Sequence, residues 1–398
     1  MDKTSDMPAQ WNEIEESSLD NLLRNFSPEP TLEDEAFFME LINTNLNHWQ
    51  EEQIRIPPYR CPKQNAVLAV HWHPEFIPIP LVRERMSEMF PNISEELCIP
   101  TQHNELLELG DYAGVEIDCF SRAFNQKVQL LAHFKADRVR EAGVFKNMLS
   151  HTYNYRSLQL DSFLEALCGG EHLEKSSEQL QNAAKLSGAD AEVSRFAAFV
   201  ALKLKSLIEA HRCTISRSTL KNKLIRDLID RYRDIFGHLF IDRVQSYVRE
   251  VKTLVKSEFS PEYYYLTSEV IEEIRGLGGC IVIPHPEQFW PILLANYDVD
   301  GYEVWNPQSQ RYTEFMLSVV EEQNKHRHSN RRKLLIFMGD DCHLSEKVRP
   351  LHVQDPAKAA REVGLQPAWD DLSIRKKLIA LKSERREVIR DYKELLER

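Results

Sequence analysis

Apolar positions along this chain change their rhythm three times, and each change predicts a different kind of element. Over the first fifty-odd residues they recur at helical spacing. Thr31-Leu32-Glu33-Asp34 reads as a capped helix start, Phe37, Phe38, Leu41, Ile42 and Leu46 form a single stripe on a helix reaching about Gln53, and Pro57-Pro58 closes the segment. From Ala66 the pattern becomes short, uninterrupted apolar runs of the kind that buried strands carry: Ala66 to Val70, Leu97 to Pro100, Tyr112 to Asp118, Gly279 to Ile283, Gly301 to Trp305 and Leu334 to Met338. Between about 156 and 258 strand signals disappear, and Phe163, Leu164, Leu167, then Val193 to Ala210, then Leu224 to Val255 show helical periodicity.

After 258 strands and helices alternate, with helices predicted from Ser260-Pro261 to about Gly276, over 287–296 and over 309–325. That alternation is the pattern of parallel βα units. The last segment, 372–398, places Leu378, Leu381, Val388, Ile389, Tyr392 and Leu395 at helical spacing among Lys, Arg and Glu, which predicts a helix docked on the body.

Composition narrows the class. Of 398 residues 42% are hydrophobic and 28% charged, as in an ordinary globular protein. No stretch approaches the roughly 18 uninterrupted apolar residues of a membrane span, and the polar start, Met1 to Asp20, does not have the form of a signal peptide. Seven cysteines without close pairs fit a reducing compartment, so the cytoplasm is the expected location. Charge is unevenly spread: residues 1–56 hold 13 acids and 3 bases, a net of −10 out of −12 for the chain. Basic stretches stand elsewhere, at Lys325-His326-Arg327-His328, at Arg331-Arg332-Lys333 and over 372–398, where 9 bases face 5 acids. Thirteen glycines form no phosphate-cradling loop or dinucleotide fingerprint.

The candidate chemistry lies where the apolar runs end. His71-Trp72-His73 and Asp341-Cys342-His343 each follow a predicted strand, and residues i and i+2 of a strand project together, so each doublet offers two ligands to one point. Imidazole and carboxylate suit zinc, manganese or iron, and no Cys-x-x-Cys is present for a thiolate site. Further polar groups sit on or just after other strands: His103, Glu116, His285, Glu303 and Asp340. Active sites of βα barrels are built at such strand ends, because the loops converge there.

In order along the chain, the His-x-His, a later His, the Glu of Gly114-Val115-Glu116-Ile117, Pro284-His285-Pro286-Glu287, Asp300-Gly301-Tyr302-Glu303-Val304-Trp305-Asn306 and Gly339-Asp340-Asp341-Cys342-His343 resemble the PHP family, the polymerase and histidinol phosphatase superfamily. The resemblance implies a distorted, TIM-like, seven-stranded βα barrel and one to three divalent metal ions (Mn, Zn or Fe) hydrolysing a phosphoester. It implies as metal ligands His71, His73, His103, Glu116, His285, Asp341 and His343, with Glu116 bridging metals, and His103, Glu116 and His343 as catalytic groups. On that reading 1–56 is an acidic helical arm, 57–155 and 259–350 are the two parts of the barrel, 156–258 is an α-helical insertion able to cap the site or select substrate, and 351–398 is a C-terminal extension.

Departures accompany the likeness. Pro78 stands where the family commonly has Asp, with Glu75 the nearest acid; Gln102 stands before His103 in place of Asp; and Lys127, Val128 and Gln129 occupy the usual place of a later histidine, with His133 the nearest substitute. A metal-dependent phosphoesterase acting on a nucleotide or nucleic-acid end, nucleases included, is the leading expectation. A small-metabolite phosphatase, an amidohydrolase needing a bridging lysine, and a catalytically silent interaction module are the alternatives. The acidic arm and the C-terminal helix are the candidate surfaces for a protein partner.

Overall fold

The computed structural model describes residues 16–169, 176–327, 332–351 and 353–398. The basic residues His328 and Arg331 and the first part of the acidic arm lie outside the described residues. The chain divides into two compact units, 1–44 with 157–260, and 45–156 with 261–398. The first is helical throughout its described residues, with helices Glu16–Asn25, Leu32–Ile42, Ser176–Ser187, Ala191–Ala210, Lys223–Asp230 and His238–Glu258. Its core is aromatic-rich: the Phe26 ring stacks on Phe196 at 4.5 Å between centroids and meets Tyr232 edge-on. Asp34, which caps the helix at Thr31 as predicted, is buried against Lys203 at 2.8 Å and Tyr232 at 2.6 Å. The predicted helix to Gln53 is broken, because Asn47 caps a new one, His48–Arg55.

The second unit is mixed α/β and carries every strand of the described chain: β1 Ala66–Ala69, β2 Trp72–His73, β3 Glu95–Cys98, β4 Leu107–Leu109, β5 Tyr112–Ser121, β6 Gln126–Lys135, β7 Cys280–Ile283, β8 Gly301–Trp305, β9 Leu335–Met338 and β10 Cys342–His343. One six-stranded sheet runs β4-β5-β6-β7-β8-β9, with two parallel pairs, β1 with β3 and β2 with β10, beside it. Strands β7, β8 and β9 are parallel, as their alternation with helices requires. Each neighbouring pair along β4, β5, β6 and β7 is antiparallel. For β5 and β6 the reason is their link, four residues ending at Asn125 (φ 50°) that make a tight turn; a link that short joins only antiparallel strands.

The mixed α/β class therefore holds, while no ladder closes into a barrel among the described residues. Isolated bonds run between the sheets: His103 bridges to Glu116 in parallel sense, and the Asp341 N–H donates to the His71 carbonyl at 2.9 Å. The expected helix over 287–296 is two 3₁₀ turns, Pro286–Gln288 and Trp290–Leu294, with Pro286 and Pro291 setting the starts.

The C-terminal helix Arg385–Glu397 buries Val388, Ile389, Tyr392 and Leu396 in the core that β1, β5, β6, β7, β8 and β9 build. It docks, but the single helix expected over 372–398 is two, Leu372–Leu381 and Arg385–Glu397, divided where Lys382 takes a left-handed conformation (φ 50°). No described helix is long and apolar enough to cross a membrane.

Candidate metal centre

The middle of β5, the ends of β2, β7, β9 and β10, the bend after β1 and the loop after β3 bring all seven predicted ligands into one buried cluster. Glu116 stands at its middle. One carboxylate oxygen, Oε1, lies 3.9 Å from His71 Nε2 and 3.4 Å from His285 Nε2; the other, Oε2, lies 3.6 Å from His73 Nε2 and 2.5 Å from His103 Nδ1. Asp341 Oδ1 is a second focus, 3.7 Å from His71 Nε2, 3.6 Å from His73 Nε2 and 3.3 Å from His343 Nε2. Three overlapping groups have the compactness of an ion site: His71, Glu116 and His285; His71, His73 and Asp341; His73, His103 and His343. His71 and His73 belong to two groups each, so the groups share walls.

His71 lies in the bend between β1 and β2, yet its ring and that of His73 meet edge to face at 5.4 Å, as the i, i+2 spacing requires. The turns that deliver the other groups are strained. Glu75, His285 and Asp341 have positive φ (55°, 27° and 42°), and so does Asn104, next to His103. Such conformations cost about 1–3 kcal/mol each and persist only where the surroundings enforce them.

A second circle of side chains fixes the first. His71 Nδ1 donates to Glu303 Oε1 at 2.6 Å, which leaves Nε2 directed at Glu116 and Asp341; Glu303 Oε2 accepts the His285 backbone N–H at 3.0 Å. A Cβ on Gly339 would overlap the Glu303 carboxylate, so only glycine lets this acid lie against the loop. The other oxygen of Asp341, Oδ2, accepts from Arg361 at 2.6 Å and from Gln308 at 2.5 Å. Glu75, the acid nearest the departure at Pro78, faces His343 Nδ1 at 3.4 Å and bonds Ser345, so it backs a ligand histidine.

Asp340 does not orient a ligand histidine: it accepts the Gly364 N–H, and burial pushes its carboxyl up to about 8. His133 is also elsewhere. Its Nε2–H donates to the Val70 carbonyl at 2.9 Å and its Nδ1 accepts from the Tyr392 hydroxyl at 2.7 Å, which makes it a satisfied core histidine. Sequence reasoning left Glu303 without a role and did not single out Arg361 or Gln308. A carboxylate alternating with the apolar residues of β8 is a signal for the first; nothing local points to the others.

The electrostatics set Glu116 apart. Some buried carboxylates elsewhere have a fixed cation: Glu362 meets Arg85 at 2.6 Å and Lys347 at 2.9 Å, and Asp300 meets Arg275 at 2.6 Å. Glu116 is faced only by imidazoles, and both its oxygens are buried without a hydrogen-bond partner, as are His71 Nε2 and both nitrogens of His73. Leaving such atoms unpaired costs about 1–3 kcal/mol each, more when charged. Burial opposes charge throughout. Against it, His103 and His285 hold Glu116 well below the usual carboxylate range, His343 and His73 do the same for Asp341, and Glu303, Asp341 and Glu116 raise His71 to about 10. His73 is pushed well below its ordinary value by burial and by His343 and His103. This donor set, five imidazoles and two carboxylates with their free atoms converging, has the chemistry of a divalent-cation site.

No family model matches the chain, and no curated protein matches it. Among solved structures it is similar to a protein from Bifidobacterium adolescentis that carries the provisional name metal-dependent phosphoesterase, at 17% identity over 80% of this chain and 96% of that one, with a TM-score of 0.39.

Proposed function

We propose that the protein is a metal-dependent hydrolase of phosphoester bonds, acting on a nucleotide or nucleic-acid end. The observation that carries this reading is the convergence of His71, His73, His103, Glu116, His285, Asp341 and His343, from segments spread along the chain, with their free nitrogens and oxygens turned to common points. These seven residues would hold manganese, zinc or iron. Glu116, with histidines at both oxygens, would supply a central carboxylate ligand. When bound, a divalent cation lowers the pKa of water to about 7 and offsets charge on a phosphoryl group. We also take the bridges joining the three sheets for the open, distorted form of a βα barrel.

The residues divide the remaining work. Glu303, Glu75, Arg361 and Gln308 keep the ligands aimed, as partners of metal-bound histidine and carboxylate generally do. His103 and His343 retain 26% and 15% of their side-chain exposure, whereas His71, His73 and Glu116 have 1% or less, so substrate approaches from the His103 and His343 side. Hydrolysis breaks one P–O bond; water supplies the new oxygen, and the leaving oxygen takes a proton, which whichever of His103 and His343 is not holding the metal would donate.

Elemental analysis of the purified protein tests the site. His71→Ala, His73→Ala and Asp341→Ala are expected to lose bound metal and, in a manganese-supplemented screen of phosphoesters including labelled oligonucleotides, to lose hydrolysis with it. Unchanged metal content in all three variants would remove the proposal.

A further inference from the structure

Beside the helix Thr313–His326 the second unit carries an apolar groove of about 580 Å³. Tyr312, Phe315 and Val319 form one wall, and the 3₁₀ turn Trp290–Leu294 forms the other. Both walls are fixed. Trp290 stands edge-on to Tyr312 and Phe315, with centroids 5.1 Å and 5.5 Å apart, and the Gln323 side chain donates to the Leu293 carbonyl at 2.9 Å, which pins the turn to the helix. At its start the turn follows Phe289, whose ring meets His285 edge-on at 5.8 Å. The groove is therefore a preformed hole.

Knobs stand on its rim: Leu294 is 88% exposed and Phe315 54%. Large apolar side chains around an apolar groove mark a surface that a partner covers. Charge says which partner. At one end, in the 3₁₀ turn Gln310–Tyr312 that leads into the helix, Arg311 lays its guanidinium on the Tyr312 ring at 4.6 Å and makes no ion pair among the described residues. At the other end, two turns beyond Phe315, Glu322 is 62% exposed, and its partners among the described residues, Lys325 at 3.6 Å and His326 at 3.4 Å, are on its own helix. Cation, apolar middle and acid thus follow one another along one edge. Such an order complements a second copy of itself laid antiparallel, where each cation meets an acid; laid parallel, like charges meet. A knob and a hole on one patch complete the requirement of a two-fold contact, in which residue i meets j and j meets i.

We propose that this face is a two-fold interface between copies of the chain. The helices Thr313–His326 lie antiparallel, Phe315 of each copy packs against Val319 of the other, Leu294 enters the opposite groove, and Arg311 meets Glu322 across the seam. A patch one helix long, about 21 Å at 1.5 Å per residue, stands at the small end of specific interfaces, so the copies exchange rather than lock.

Sedimentation equilibrium of the full-length protein between about 1 and 100 µM reads the monomer–dimer Kd, expected in the micromolar range for so small a contact. Leu294→Asp, at a position too exposed to unsettle the fold, is expected to raise Kd about tenfold or more, because it puts an unpaired carboxylate into the opposite groove. Arg311→Glu and Glu322→Arg are each expected to raise it severalfold, while the doubly substituted chain, and an equimolar mixture of the two single variants, return close to the wild-type value. A wild type that stays monomeric at the top of that range overturns the proposal, and so does a dimer that Leu294→Asp leaves intact. Failure of both the double variant and the mixture to restore association overturns it as well, since a merely adhesive surface has no such register. None of these readouts depends on metal or turnover, so the hydrolase reading stands or falls separately.

Discussion

Glu116 and Glu303 are both buried acids among histidines, and the difference between them shows how single residues divide the labour. Glu116 offers both oxygens to the pocket with imidazoles alone around them, whereas Glu303 spends its two on His71 Nδ1 and the His285 N–H. Replacing Glu303 by Gln keeps the shape and removes the charge that orients and enriches the His71 ring. Metal affinity is expected to fall about 10- to 100-fold, the range typical of such supporting partners, as read by competition with a chelating indicator. Wild-type affinity in the variant would take Glu303 out of the site. The ligands themselves were legible, because His-x-His and Asp-x-His name their chemistry locally. Glu303 was not, since 232 positions separate it from His71 and only the folded chain shows the bond.

Among elements, the turns after strands decide the site. Asp341 reaches the pocket from a left-handed turn, and Gly339 just before it makes room for the Glu303 carboxylate. Gly339→Ala drives a methyl group into that carboxylate. Overpacking of this kind costs about 1–3 kcal/mol, and we expect both a lower urea midpoint and loss of bound metal by elemental analysis; if stability and metal both stay at wild-type level, the loop has room that its geometry denies. Most strands were readable as apolar runs, and so was the capped helix at Thr31. Strand β6, Gln126–Lys135, was not read at all, and with it went the antiparallel pairing of β5 and β6, which a four-residue turn decides. The two 3₁₀ turns after His285 escaped for a related reason: the apolar spacing suits a helix, and two prolines forbid a continuous one.

For the whole molecule, His133 links stability to pH. It is sealed in the core between the Val70 carbonyl and Tyr392 of the C-terminal helix, and burial pushes its pKa from 6.5 down to about 3. A folded-state pKa below the unfolded value means that the contribution is fully present above pH 6.5 and is lost as pH falls toward 3, because the unfolded chain takes up the proton first. The loss from this one group approaches about 1.4 kcal/mol per pH unit. Urea unfolding of chelator-stripped protein between pH 7 and pH 4 is expected to show a shallower fall for His133→Gln than for wild type, on top of a lower starting stability. Identical slopes would mean that His133 titrates freely in the folded protein.

The sequence by itself determined the types and order of the candidate ligands and most of the helical and strand-bearing regions, because those follow from local periodicity and from side-chain chemistry. Tertiary structure alone decided which acids are paired with fixed cations and which are left to imidazoles, that Glu303, Glu75 and Arg361 stand behind the ligands, and that His133 belongs to the core. These are distances between residues far apart in the chain, and a linear pattern encodes neither the distance nor the desolvation that gives it energetic meaning.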